Sequence, residues 1–312
     1  MKSLSILVLV LLSGLCSALL SGASAQSLVE RLGYPAGTKL LIIHADDLGE
    51  THAVNAAAIQ AFQRGAVNSA SMMVPCPWFP EIADFAKSHP DADLGLHLTL
   101  TSERVYYRWG PVAPGDQVPT LIDQNGYLRH DWDDHPRIDP KQVEVELRAQ
   151  VERALRMGVH PTHLDSHQYR LIMNGKELFD AMLRVSHEYK LPVFVNRDWF
   201  AEHPYLASSV GPDDLVLDHT VTIDPDVPAQ KWADFYLTAL KKLQPGVTEF
   251  VIHPGFDDEE LRAATRERAT WGAEWRQRDY DFFTSEEFRQ TLQRENIKLI
   301  TWRELASRWA KR

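Results

Sequence analysis

The chain has 312 residues, 44% hydrophobic and 24% charged, a globular composition that rules out a disordered or fibrous protein. Its 33 basic residues against 43 acidic ones leave a formal charge of −10. That balance argues against a nucleic-acid partner, whose phosphates call for basic patches.

Residues 1–25 read as an export signal rather than as fold. Lys2 supplies a positive start, Leu4 to Leu12 is an almost unbroken apolar run, and Ala23-Ser24-Ala25 is a small-x-small cleavage motif ahead of Gln26. The run is short for a bilayer span, with uncleaved anchoring as an alternative to cleavage, and no later stretch approaches the ~20 apolar residues a span needs. Cys16 offers a lipoprotein alternative, but Leu15 precedes it where lipid attachment wants a small residue. The expected mature protein is therefore residues 26–312, a single domain, periplasmic or extracellular and without a transmembrane span. Cys76 alone of the two cysteines would survive, so no internal disulfide is available and the core must hold the fold.

Short apolar runs then alternate with longer amphipathic stretches. Residues 39–44 read as a buried strand, and Thr51 caps a helix to about Arg64, with Gly65 as its stop. A strand at 67–74, a helix at 79–88 and a strand at 94–100 follow. Residues 101–139, rich in Pro, Gly, Asp and aromatics, read as a long surface loop of the kind that is usually functional or mobile. The alternation resumes with helix 140–157, strand 162–166, helix 175–190 and strand 192–196. After an irregular stretch at 197–227 come helix 228–243, strand 248–253, helices 258–269 and 285–295, strand 297–301 and helix 302–310. Repeated βα units without a Gly-rich dinucleotide fingerprint predict an α/β fold, an irregular (β/α) barrel resembling a TIM barrel. Chemistry in such a barrel gathers at the carboxyl ends of the strands.

Those ends carry the polar residues. The first strand runs into His44-Ala45-Asp46-Asp47-Leu48-Gly49, where two carboxylates after a buried strand are costly without a compensating cation. If the strand persists, the two side chains point to opposite faces; an Asp-Gly turn or helix cap is the plainer reading. His97 interrupts the apolar run Gly95-Leu96-His97-Leu98-Thr99, as a site residue or as a satisfied core histidine. His163, Asp165 and His167 share one face at strand period, and His253-Pro254-Gly255 closes a fourth run. Together these ends predict a mononuclear metal site of carboxylate and two imidazoles with open positions for water and substrate.

The motifs Ala45-Asp46-Asp47-Leu48-Gly49, Val54-Asn55, Gly65-Ala66-Val67-Asn68-Ser69, Gly95-Leu96-His97-Leu98-Thr99, Pro161-Thr162-His163-Leu164-Asp165-Ser166-His167 and His253-Pro254-Gly255 resemble the YdjC family. Its members are ChbG/HpnK-type carbohydrate deacetylases, distant relatives of the NodB-type polysaccharide deacetylases. The resemblance covers about residues 38–305 and implies metal-dependent removal of acetyl groups from N-acetylated sugars. By motif position it makes Asp47, His97 and His167 metal ligands, Asp46 the general base and His253 the general acid. His163 and Asp165 are then cast behind the ligands, where a carboxylate fixes an imidazole's tautomer. Leu48 replaces the family's usual Phe, and Tyr169 stands where many members have a histidine. The donor set suits one divalent ion: zinc or magnesium first, with manganese, nickel and cobalt compatible.

Aromatic residues of the long loop, Tyr106, Tyr107, Trp109, Tyr127 and Trp132, are candidate walls of a sugar cleft, with Tyr169 and a second group at Trp199, Phe200 and Tyr205. Packing of the loop onto the barrel is the alternative. Asp131, Asp133 and Asp134 read as solvated surface, and Trp271, Trp275 and Tyr280 as core or interface. Two other functions compete. A phosphoesterase would draw on Arg104, Arg108, Arg170 and Arg197, and an exported sugar-binding protein would need no base beside a ligand.

Overall fold

The computed structural model describes residues 26–132, 138–268 and 270–310. The expected export signal lies outside the described residues, as do Asp133 and Asp134. No helix among the described residues is long and apolar enough to cross a membrane.

The strands are β1 (Lys39–Leu48), β2 (Ser69–Met72), β3 (Leu94–Leu98), β4 (Leu164–Ser166), β5 (His219–Thr222), β6 (Gly246–Ile252) and β7 (Ile297–Leu299). They form one sheet in the order β4-β3-β2-β1-β6-β5, with β7 also paired to β1, and every pairing is parallel. The sheet curls into an irregular barrel. Between the edges β4 and β5, single bridges from Leu164 to Val193 and from Asn196 to Leu217 carry the pairing across. The predicted strand at 192–196 survives only as these bridges. Helices α1 (Leu28–Arg31), α2 (His52–Gln63), α3 (Phe79–Ser88), α4 (Pro140–Arg156), α5 (Arg170–Met173), α6 (Lys176–Tyr189) and α7 (Pro204–Ser209) come before β5. Helices α8 (Trp232–Lys242), α9 (Glu259–Ala264), α10 (Ala273–Phe283), α11 (Glu286–Arg294) and α12 (Trp302–Trp309) follow it.

Local chemistry sets the helix starts. Thr51 accepts the Val54 N–H at 3.2 Å, and Asp139 caps α4 ahead of Pro140 at the first helical position. Helix α10 departs from the sequence reading, which assigned no helix there. Its buried face includes Arg276 and Asp279 among its aromatics, so the apolar period is broken. The stretch 197–227 likewise contains α7 and β5.

Strand alternation sorts the core. Leu41, Ile43 and Ala45 of β1 face the helices in the larger apolar cluster, with Ala70 and Met72 of β2. Leu40 and Ile42 face the barrel interior with Val247, Val251, Phe194 and Trp302. Continuing that inner face by period two brings His44 and then Asp46. The interior thus changes from apolar at the bottom to polar towards the mouth. Gly95 on β3 makes this possible, because a Cβ there would lie 2.5 Å from the His163 ring.

A candidate metal centre at the strand ends

A bulge in β1 decides where the two adjacent aspartates point. Ala45 pairs with Ala70 but Leu48 with Met72, so β1 carries one extra residue, and Asp47 sits at φ 68°. The alternation that would separate the carboxylates is broken there, and both line the same cavity. His97 arrives from β3 and Asp165 from β4. His167 follows β4 directly, ahead of two left-handed residues, Gln168 (φ 53°) and Tyr169 (φ 54°). His253 follows β6, its backbone N–H held by Asp279 at 2.9 Å.

Three atoms converge. Asp47 Oδ1 lies 3.4 Å from His97 Nε2 and 3.2 Å from His167 Nδ1, and the two nitrogens are 3.2 Å apart. All three side chains are buried, and among the described residues no well-aligned hydrogen-bond donor serves Asp47 Oδ1. These edges match those subtended at near-tetrahedral angles by an ion with bonds of about 2.0–2.2 Å. A cation bound through neutral His97 and His167 would take over the positive charge that the two imidazoles otherwise carry here. The carboxylates of Asp46, Asp47, Glu50, Glu103 and Asp165 are buried against the guanidiniums of Arg104 and Arg276 and the imidazole of His44. The residues present therefore fit a divalent cation, and this buried group can hold one.

The outer partners are equally specific. His97 Nδ1 meets Asp165 Oδ1 at 2.7 Å, and His167 Nε2 meets Glu103 Oε2 at 3.1 Å. Burial pulls both imidazoles down, but Asp165 and Asp46 hold His97 well above the ordinary histidine range. Glu103 and Asp47 hold His167 at about 9. Burial opposes ionisation of Asp47, yet Arg276 and the two imidazoles keep it well below the usual carboxylate range. Glu103 is brought to about 2, burial being outweighed by His167 and Arg104.

Asp46 lies beside this triangle. Its Oδ1 is 3.1 Å from His44 Nε2, and its Oδ2 is 3.8 Å from both His97 Nε2 and His253 Nε2. Burial lowers His253 to about 4, against the pull of Asp47 and Asp46, and its Nδ1 is unpartnered. Asp165 bridges His97 and His44. His163 sits a layer deeper: it stacks on Trp302 with ring centroids 5.0 Å apart and bonds Thr162 Oγ1 through Nδ1. None of its hydrogen bonds reaches Asp47, His97 or His167.

The cavity, of about 510 Å³, is lined by Asp46, Asp47, His97, His167 and His253 together with Glu103, His130, Asp131, Gln168, Tyr169, Arg170, Thr222, Arg268 and Trp271. Of the aromatic residues expected to wall it, Tyr169 does. Trp109 is buried, donating its indole N–H to the Thr101 carbonyl, and Tyr107 donates to the Glu50 carbonyl at 2.6 Å. Tyr106 is exposed under Arg266. None of these three lines the cavity, because the loop folds back onto the barrel through Trp109. Trp199 packs on Tyr169 and Phe194, and Tyr205 bonds the Ile172 carbonyl. Trp271, read from sequence as core or interface, instead forms part of the wall, while Trp275 and Tyr280 are buried.

Sequence reasoning missed Glu50, Glu103 and Arg276, and read Arg104 only as a possible anion site. Arg104 is committed to Glu50 at 2.7 Å, Arg108 to Ser102, Asp123 and the Leu128 carbonyl, and Arg197 lies 3.6 Å from Asp218. Glu50 and Glu103 stand close in sequence to Asp47 and His97, and their charge after a buried strand was the available signal. Arg276 is 229 residues from Asp47 and carried none.

Similarity to known proteins agrees with this geometry. The model of the YdjC-like protein family matches residues 40–294, and the chain belongs to that family. A carbohydrate deacetylase of Thermus thermophilus is 31% identical over 289 residues, covering 89% of this chain and 97% of its own. One of Brevibacillus brevis is 28% identical over 281 residues, covering 85% and 99%. Among solved structures, a provisionally named cellobiose-phosphate cleavage protein of Enterococcus faecalis superposes with a TM-score of 0.72 at 26% identity. That match covers 86% of this chain and 99% of the other.

Proposed function

We propose that this protein is an exported, metal-dependent carbohydrate deacetylase that hydrolyses the acetamido group of N-acetylated sugars. The observation that carries the reading is the buried convergence of Asp47 Oδ1, His97 Nε2 and His167 Nδ1 beside the uncommitted Asp46 Oδ2. Relatives along nearly the whole chain are named carbohydrate deacetylases, which supplies the substrate class. Asp47, His97 and His167 would hold the ion, zinc or magnesium foremost. When bound, a divalent ion supplies Lewis acidity, making water more acidic and the acetyl carbonyl more electrophilic.

The chain's own groups handle the protons. Asp46 accepts the proton of the attacking water, its carboxylate held in place by His44 and Ser71. His253 donates to the amine nitrogen as the C–N bond breaks. Its low pKa means that it begins the cycle neutral, and Asp46 Oδ2, 3.8 Å from Nε2, is the near source of the proton it passes on. Asp165 and Glu103 fix the orientations of the His97 and His167 rings. Tyr169 and Trp271 offer aromatic surface to a sugar ring.

The phosphoesterase reading loses support because Arg104 on the cavity wall is neutralised by Glu50. Arg108 and Arg197 pair with Asp123 and Asp218 away from it, which leaves only Arg170 of the four, bonded to Gln168, on the wall. Purified protein with its metal content measured, offered a panel of acetylated sugars and phosphate esters, is expected to release acetate and no phosphate. Phosphate release would favour the competing hydrolase, and release of neither would favour a sugar-binding protein.

A further inference from the structure

The second oxygen of Asp47 belongs to a buried circuit of alternating charges. Asp47 Oδ2 lies 2.6 Å from Arg276 Nη2, which also lies 3.3 Å from Glu50 Oε2. Glu50 Oε1 lies 2.7 Å from Arg104, whose Nε is 3.9 Å from Glu103 Oε1. Glu103 Oε2 meets His167 Nε2 at 3.1 Å, and His167 Nδ1 returns to Asp47 Oδ1 at 3.2 Å. Buried ion pairs need every partner in place, since an unpaired charge in the interior is expensive. The circuit therefore holds Asp47 in one orientation, with Oδ1 towards the imidazoles and Oδ2 towards the guanidinium.

Arg276 is itself fixed from three sides. Its Nε donates to the Trp271 carbonyl at 3.0 Å, and its own carbonyl accepts the Gly255 N–H at 3.2 Å. Its stem crosses the His-Pro-Gly turn so closely that a Cβ on Gly255 would lie 3.0 Å from Arg276 Cβ and 3.2 Å from Cδ. The glycine leaves the room through which the arginine reaches the centre.

Building on the metal reading above, we infer that Arg276 is a positioning residue that sets which cation the centre accepts. By occupying Asp47 Oδ2 it leaves Asp47 one oxygen to give. A centre of one carboxylate oxygen and two imidazole nitrogens suits a zinc-like ion. Calcium takes 6–8 oxygen ligands and often uses a carboxylate through both oxygens. Arg276 thus disfavours calcium by geometry, because the second oxygen of Asp47 is already taken.

The test uses full-length protein stripped with a chelator and titrated calorimetrically with zinc chloride or calcium chloride. Arg276→Gln is expected to weaken zinc binding about 10–100-fold, the usual effect of removing a partner behind a ligand. Calcium binding is expected to stay equal or tighten, so the preference for zinc falls by at least about tenfold. Arg276→Lys, which keeps a positive charge against Oδ2, is expected to stay near the wild-type preference. Gly255→Ala presses on Leu261 Cδ2 and on the Arg276 stem without changing charge and is expected to lower the preference in the same direction. It carries the test if Arg276→Gln does not fold. Equal losses for both ions, or an unchanged preference in Arg276→Gln or in its substitute, overturn the inference while leaving the metal centre intact. Wild-type protein that binds neither ion overturns the metal reading and this inference with it.

Discussion

Two layers of buried polar residues lie one above the other in the barrel and behave in opposite ways. At the mouth, His97 and His167 are held above the ordinary histidine range and Asp47 and Glu103 below the ordinary carboxylate range. One layer in, burial lowers His163 to about 4 and raises Glu249 to about 8. The mouth keeps these four charged because each faces an opposite charge within hydrogen-bonding reach, whereas burial leaves His253 beside them neutral. The inner layer keeps these two neutral: His163 stacks on Trp302, and Glu249 accepts the Trp302 indole N–H at 2.7 Å. His44 sits between them, burial being outweighed by its hydrogen bonds to Asp165 and Asp46, which hold it well above the histidine range. Residue type and burial alone therefore do not mark a site. The difference lies in whether donor atoms converge and whether opposite charges face one another.

The largest effect should come from breaking the mouth. His97→Ala and His167→Ala are expected to lose bound metal and turnover together, down to the background rate, as read by elemental analysis alongside acetate release. Either variant keeping its metal would remove that residue from the ligand set. Asp46→Asn is expected to keep the metal and lose about 10²–10⁴-fold in turnover, the usual scale for a general base. Near-normal rates in that variant would reassign the base.

The inner layer should answer in stability instead. Glu249 has its pKa raised by burial from an ordinary 4.5 to about 8, against the pull of His44. A carboxyl raised by folding contributes stability that is fully present below about pH 4.5 and is lost as pH rises through about 8. Denaturant unfolding across that window should show Glu249→Gln gaining on the wild type as pH rises, by on the order of a few kcal/mol. A constant offset between the two proteins would mean that Glu249 is ionised in the fold. The smallest functional effect is expected at His163. His163→Phe should cost about 1–3 kcal/mol through crowding against Gly95, with metal content and turnover near wild type. A loss of bound metal there would merge the two layers into one functional unit.

The elements that bear the mouth were readable locally. An apolar run interrupted or ended by Asp or His is visible because strand alternation has period two and a buried polar group is costly. That pattern located Asp46, His97, Asp165, His167 and His253 on or just after their strands. Helix α10 was not readable, since Arg276 and Asp279 occupy its buried face and spoil the apolar period. Aromatic content misled in the long loop, where Trp109 turned inward to anchor the chain and Trp271 took a place on the cavity wall.

By itself, the order of residues determined the barrel, the strands that end in polar groups, and the family to which the chain belongs. Those properties rest on short-range periodicity and on motifs a few residues long. The tertiary structure decided the rest. A one-residue bulge turned two adjacent carboxylates towards one cavity. An arginine 229 residues away closed the charge around Asp47, and His97 and His167 came to be held charged while His163 and His253 stayed neutral. Charge balance in a low-dielectric interior depends on distances between side chains from different elements, and the fold alone sets those distances.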